Sequence, residues 1–220
     1  MAEDTNVISL PAVADPAPLG LAAFALTTFL LSAQNAKLTD GPDAWLGFAF
    51  AYGGAIQLLA GMWEFRNRNV FGATAFATYG GFWIGLGLWA LLVAPHITGP
   101  AAVTATASDL GWILLAFAIF NTYMLLWSTA VTPAVFLVFL TLEATEIILV
   151  IGFFSGNATI LKVGGIVGIV TAVVAWYTSA AGVINGMAMR HVVPVGGPMW
   201  KLTRPVRPGP VPRVEPAKAS

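Results

Sequence analysis

Residues 133–154 read PAVFLVFLTLEATEIILVIGFF, an apolar run interrupted only by two hydroxyls and the carboxylates of Glu143 and Glu146. A helix rises ~1.5 Å per residue, so about 20 apolar residues cross the ~30 Å hydrocarbon core of a bilayer. This stretch has that length, with Pro133 at its start and Ser155, Gly156 and Asn157 after it. Five more stretches of the same kind flank it, at roughly 18–34, 44–63, 72–93, 110–129 and 163–186. Each break between them has a local cause. Lys37 to Pro42 is polar and ends in Asp-Gly-Pro, Glu64 to Asn69 is charged, and Ala94 to Asp109 contains Pro95, Gly99 and Pro100. Only Ser128 to Pro133 separates the fourth stretch from the fifth, which predicts a tight antiparallel hairpin. The expected fold is all-α, a polytopic membrane protein of six transmembrane helices at 15–190. An N-terminal tail is expected at 1–14 and a Pro-rich, basic, disordered tail at 191–220.

Composition supports the membrane reading and removes other classes. The chain is 58% hydrophobic and 9% charged, against about 25% charged for a soluble domain. Its formal charge is zero, so no basic field points to nucleic acid. There is no cysteine, which excludes disulfides and thiolate chemistry, and the two histidines, His96 and His191, lie far apart in loop or tail. No metal site or cofactor is expected. No HExxH, Gly-x-Ser-x-Gly or P-loop is present, and no catalytic residue is assigned. The opening MAEDTNVISL has no Lys or Arg and no short apolar core with a cleavage site after it, unlike a secretory signal peptide.

Six spans place both termini on one side. Arg66, Arg68, Arg190, Lys201, Arg204, Arg207, Arg213 and Lys218 fall on the side of the termini, and only Lys37 and Lys162 on the other. Positive charge is retained in the cytoplasm, so both termini are expected there, in a plasma or inner membrane. Trp45, Trp63, Trp89, Trp112 and Trp127 fall near helix ends, as interfacial anchors do. Lipid gives helices no hydrophobic reason to associate, so close packing needs small residues on the contact face. The pairs Gly81/Gly85, Gly164/Gly168 and Gly182/Gly186, with Gly53, Gly54 and Gly61, predict a compact bundle or an oligomer.

Polar groups in the apolar runs are the functional candidates. A lipid-facing carboxylate at mid-membrane costs about 2.5 kcal/mol or more, so Glu143 and Glu146 must face protein or water. At i and i+3 they share a helix face, and desolvation and like charge both oppose ionising the pair. They form either a proton-responsive pair on a permeation path or a hydrogen-bonded bridge between helices. Glu64, beside Arg66 and Arg68, is expected in an interfacial salt bridge. Gln57 is an amide in mid-membrane that needs a partner. Thr27, Thr28, Ser32, Thr78, Asn121 and Thr141 either line a weakly polar path or bond to carbonyls of their own helices.

DPAPLGL, Asp15 to Leu21, resembles the NPAPLGL signature of the acetate uptake transporter family. YGGAIQLLAGMWEFRNRNVFGATAFATYGGFW, Tyr52 to Trp83, is similar to the family's ordered series of YGG, Q, AG, E, N-x-FG-x-TAF and YG-x-FW. IGFFSGNATI and HVVPVG resemble its later segments, so the resemblance spans about residues 15–197. It implies a six-helix subunit of a homohexamer in membrane lipid, each subunit carrying its own path for acetate, succinate or a similar small carboxylate. On matching positions it implies a constriction of Phe24, Tyr79 and Leu142, with Asp15, Thr27, Gln57, Thr78 and Ala175 along the path. Asp15 stands where the signature has Asn, and Glu143 and Glu146 stand where the bacterial permeases are apolar or hydroxylic; all three add negative charge near an anion route. A channel, a proton-coupled carrier using Glu143 or Glu146, and a non-transporting scaffold or sensor with a basic tail all remain compatible with the sequence. The charge asymmetry yields one direct prediction: a compartment-sensitive reporter fused after Ser220 is active only in the cytoplasm, and activity outside would reverse the assigned orientation.

Overall fold

In the computed structural model residues 13–200 are described, and among them there is helix and no strand. Six helices are long and apolar enough to cross a membrane: α1 (Ala17–Asn35), α2 (Ala44–Arg66), α3 (Val70–His96), α4 (Ala102–Ser128), α5 (Pro133–Ser155) and α6 (Ala158–Ala188). The basic run from Lys201 to Lys218, and most of the expected N-terminal tail, lie outside the described residues.

Local chemistry explains where the helices begin and end. The Thr132 hydroxyl accepts from the Val135 amide at 3.2 Å, Pro133 occupies the first turn of α5, and Gly156, with φ +63°, closes it in the left-handed conformation. Asn157 then caps α6 by accepting from the amides of Thr159 and Ile160. The hairpin between α4 and α5 is as tight as its sequence suggests. Two starts differ from expectation. Helix α4 begins at Ala102 rather than near Leu110, because AVTATASD is weakly polar yet has no helix breaker. Helix α6 begins at Ala158 rather than near Val163; Lys162 sits on a helical turn from which its ammonium can reach water.

Helix α1 lies along α6, α6 packs on α5, α5 on α4, and α2 on α3, while α1 also meets α2 and the α3 face. These approaches depend on missing side chains. A Cβ on Gly165 would lie 2.2 Å from the Ala36 amide nitrogen, and one on Gly61 would lie 2.7 Å from that of Ala77. Gly164 and Gly168 accept Leu149 and Ser32, whereas Gly81 and Gly85 have nothing within 4 Å within the chain. Helix α2 also widens to π geometry over Ala51–Ile56, and α3 does so over Trp89–Val93. The first widening brings Gly53 against Thr27 and Trp83 and sets Gln57 immediately after it.

Two further expectations are corrected. Trp45 is no exposed anchor: it is buried and its indole donates to Gln34. Trp63, Trp112 and Trp127 are exposed. The segment after α6 is pinned rather than free through Trp200. Asn185 accepts from the Val192 and Val193 amides, the Ala134 amide donates to Val195, and the Met199 amide and Trp200 indole both donate to Thr129.

Because the Gly165 contact is backbone on backbone, Gly165→Ala can be accommodated only by separating α1 from α6. Overpacking of this kind costs about 1–3 kcal/mol. Thermal unfolding in detergent should show a lower midpoint than the parent; an unchanged midpoint would contradict so close an approach.

Candidate functional site

Three cavities follow one another through the bundle. The first, about 70 Å³, opens near the α2–α3 turn and is lined by Ala17, Leu21, Gln57, Asn69, Val135 and others. The second, about 40 Å³, includes Thr28, Ser32, Trp83 and Glu146 in its wall. The third, about 350 Å³, opens near the α1–α2 loop beside Gln34, Lys37, Trp45 and Trp89. Phe24, Tyr79 and Leu142 are the residues common to the walls of the first and second. Leu31, Asn35, Leu114 and Leu149 are common to the second and third. A septum of two aromatic rings and one aliphatic side chain therefore stands between the first cavity and the second.

The septum is held from behind. Tyr79 is 4% exposed, and its ring is surrounded by Phe24, Phe82, Phe117 and Phe120 at centroid distances of 5.5–6.3 Å. Its hydroxyl donates to Asn121 Oδ1 at 3.0 Å and lies 3.4 Å from Glu146 Oε1. A phenol has one hydrogen, so the shorter bond claims it. Asn121 in turn donates to the Phe139 carbonyl at 3.0 Å and to Glu143 Oε2 at 2.7 Å. The other Glu143 oxygen accepts from Thr122 at 2.7 Å. One fully buried asparagine thus ties α3, α4 and α5 together.

The two glutamates consequently differ. Glu143 is only partly buried and receives two donors from α4. Glu146 is 4% exposed, and its Oε2 has no partner in the protein. The pair does bridge helices, and one member also borders a cavity. Gln57 is 1% exposed, lines the first cavity and leaves its Oε1 without a partner. Thr27 is fully buried and donates to the Ala23 carbonyl; Ala175 is fully buried in the core; Thr78 is half-buried; none of the three lines these cavities. Asp15 is exposed at the start of α1, where it accepts from the Ala17 amide at 3.0 Å. Thr141 bonds to its own helix.

Glu64 corrects an expectation. It is fully buried and accepts from Asn67 at 3.1 Å, while Arg66 and Arg68 are exposed. Sequence reasoning gave Trp83 no role; it is 2% exposed with an unpartnered indole N–H. A tryptophan in the middle of an apolar run, away from both interfaces, was the available signal.

Asn121→Leu keeps the volume but leaves the Tyr79 hydroxyl only the longer contact to Glu146 and takes one of two donors from Glu143. Loss of such partners costs about 1–3 kcal/mol apiece. Denaturant titration in mixed micelles should show that loss; stability equal to the parent would mean that the network bears no weight.

The family model for the GPR1/FUN34/yaaH family matches residues 4–197. Acetate permease A of Emericella nidulans is 39% identical over 205 residues, covering 86% of this chain and 68% of that protein. The succinate-acetate/proton symporter SatP of Escherichia coli K12 is 34% identical over 184 residues, covering 84% of this chain and 96% of that one. The solved structure of the bacterial acetate channel SatP superposes with a TM-score of 0.77 at 33% identity, covering 84% of this chain and 99% of that chain. The chain belongs to the GPR1/FUN34/yaaH family of multi-pass membrane proteins.

Proposed function

We propose that this chain carries acetate, and small carboxylates like it including succinate, across the membrane along the line of cavities between the Asn69 end and the Lys37 end. The observation that carries the reading is the septum of Phe24, Tyr79 and Leu142, shared by the walls of two successive cavities. An apolar neck rejects hydrated inorganic ions, which cannot shed water there, yet admits a solute that is itself half methyl. The relatives' names and the bacterial channel supply the substrate class. Gln57, beside the neck in the first cavity with an unpartnered oxygen, is the polar group best placed to meet a solute there. Thr27 lies behind Gly53 of α2, away from the cavity walls.

The bias of Arg66, Arg68 and Arg190 toward the Asn69 end supports the reading that this end faces the cytoplasm of a plasma or inner membrane, with Lys37 outside. Assembly into a homohexamer is the expected oligomeric state. Gly81 and Gly85, open within the chain, offer a close-packing strip to a neighbouring copy.

Radiolabelled acetate uptake into proteoliposomes, corrected for permeation through empty ones, tests the reading. Protein-dependent, saturable uptake is expected, and its absence in correctly folded protein would overturn it. Because the neck selects by volume, Leu142→Ala should admit lactate and larger monocarboxylates while acetate continues to pass. One methylene in a small apolar site is worth about 1–3 kcal/mol, so the lactate-to-acetate ratio should rise about tenfold or more. An unchanged ratio would reduce Leu142 to packing.

A further inference from the structure

The third cavity, at about 350 Å³, is several times larger than the first two, and it has a side branch. A fourth space of about 410 Å³ lies beside it, between the Ala102 end of α4 and the α5–α6 turn, where Ala107, Gly152 and Gly156 line it. Thr106, Leu110, Phe153 and Leu161 belong to the walls of both, so the two spaces adjoin. A solute small enough for the second cavity, about 40 Å³, leaves most of this room empty.

The room exists because of how α4 packs. Helices α3 and α4 are consecutive, yet their backbones scarcely approach one another. Level with Tyr79 the gap is filled by the rings of Phe82, Phe117 and Phe120. Toward Lys37 the facing residues are Leu86, Trp89 and Ala90 from α3 and Thr106, Leu110 and Leu114 from α4, and no ring of α4 closes it. Leu91, Leu92 and Val103, close by in sequence, are exposed. An apolar cleft between separated helices, with hydrocarbon as the neighbouring solvent, is suited to an alkyl chain.

The polar groups sit at one end. Lys37 and Gln34, at the end of α1, line the third cavity, and among the described residues lining either space Lys37 is the one charged group. Lys37 holds the left-handed conformation, φ 61°, that glycine most often supplies after a helix, and its amide donates to the Gln34 carbonyl at 2.9 Å. The ammonium therefore starts from a fixed turn at the rim. The Trp45 indole donates to Gln34 Oε1, which leaves the Gln34 NH2 group as a donor. A cation and an amide donor at the rim, with apolar walls running away from them, fit an amphiphile that keeps an anionic head at the interface and its chain in hydrocarbon. One cation answers one charge, and one lane between two helices takes one chain. We propose that the third cavity and its side branch bind the anion of a medium-chain fatty acid, its carboxylate at Lys37 and its tail between α3 and α4. On the transport reading above, the bound acid is too long for the neck and blocks the Lys37 mouth against acetate.

The test uses the full chain in phosphatidylcholine liposomes with decanoate carrying a diazirine near its methyl end. Irradiation should label peptides from 86–94 and 102–114 saturably, with displacement by plain decanoate and not by decanol. Across hexanoate, octanoate and decanoate, the free aqueous concentration that half-displaces the probe should fall about fourfold per added methylene, as for burial of one CH2. Lys37→Gln should raise the half-saturating concentration about tenfold, the effect of losing one charged contact. Ala107→Trp, which fills the side branch, should reduce labelling of α4 while acetate uptake stays parental. Decanoate should inhibit acetate uptake competitively in the parent and about tenfold more weakly in Lys37→Gln. Labelling that does not saturate, or that decanol displaces equally well, is ordinary bilayer contact and overturns the site. Displacement by phosphatidylglycerol but not by fatty acid would give the cleft to a phospholipid chain, and absence of label on both helices would mean that a neighbouring copy covers it; either result overturns the proposal. Saturable labelling without inhibition would sink the blocking role. Photolabelling reads binding without transport, so saturable labelling in protein that takes up no acetate would uphold the site and remove only the transport reading.

Discussion

Hydrocarbon offers no hydrogen-bond partner, and that constraint organises everything inside this bundle. Backbone groups meet it by forming helices, and side chains must meet it with one another. Asn121 is where the demand concentrates. From one buried amide it holds the Tyr79 hydroxyl, the Glu143 carboxylate and the Phe139 carbonyl, joining α3, α4 and α5. Helix α4 depends on this most, since it is the least buried of the six and packs mainly on α5. Tyr79, fixed at its hydroxyl and wedged by four phenylalanines, can then serve as a rigid wall of the septum.

Close helix approach is the second condition, because the polar contacts reach only if backbones come near. Gly165 lets α6 touch the end of α1, and Gly61 lets α2 touch α3. The π stretch of α2 shifts the register so that Gly53 meets Thr27 and Trp83 and Gln57 reaches the first cavity. Close packing and the lining of the cavities therefore draw on the same helices.

Much of the fold was legible because a bilayer imposes a length: apolar runs near twenty residues, bounded by Pro, Gly and charge, gave all six helices. Their outer ends were less legible. Residues 102–109 and 158–162 are polar enough to look like loop yet helical once beyond the membrane. Trp45 and Glu64 were misread because nearness to a helix end does not tell which way a side chain faces. Phe24, Tyr79 and Leu142 were reached through ordered motifs rather than periodicity, and they meet in one septum only through the packing of three helices. Thr28 and Trp83 could not be paired with Glu146 from sequence, since they come from three helices and only packing makes them neighbours.

On this reading the septum divides a line of cavities reached from opposite faces of the membrane. The chain has no cysteine of its own, so a single introduced thiol is the sole target of a small, membrane-impermeant, anionic thiol reagent. Ala75→Cys lies in the first cavity and Leu31→Cys in the wall shared by the second and third. The first should be modified only from the cytoplasmic face and the second only from the opposite face, and acetate should slow both. Modification of both thiols from one face, or of neither from either face, would contradict it.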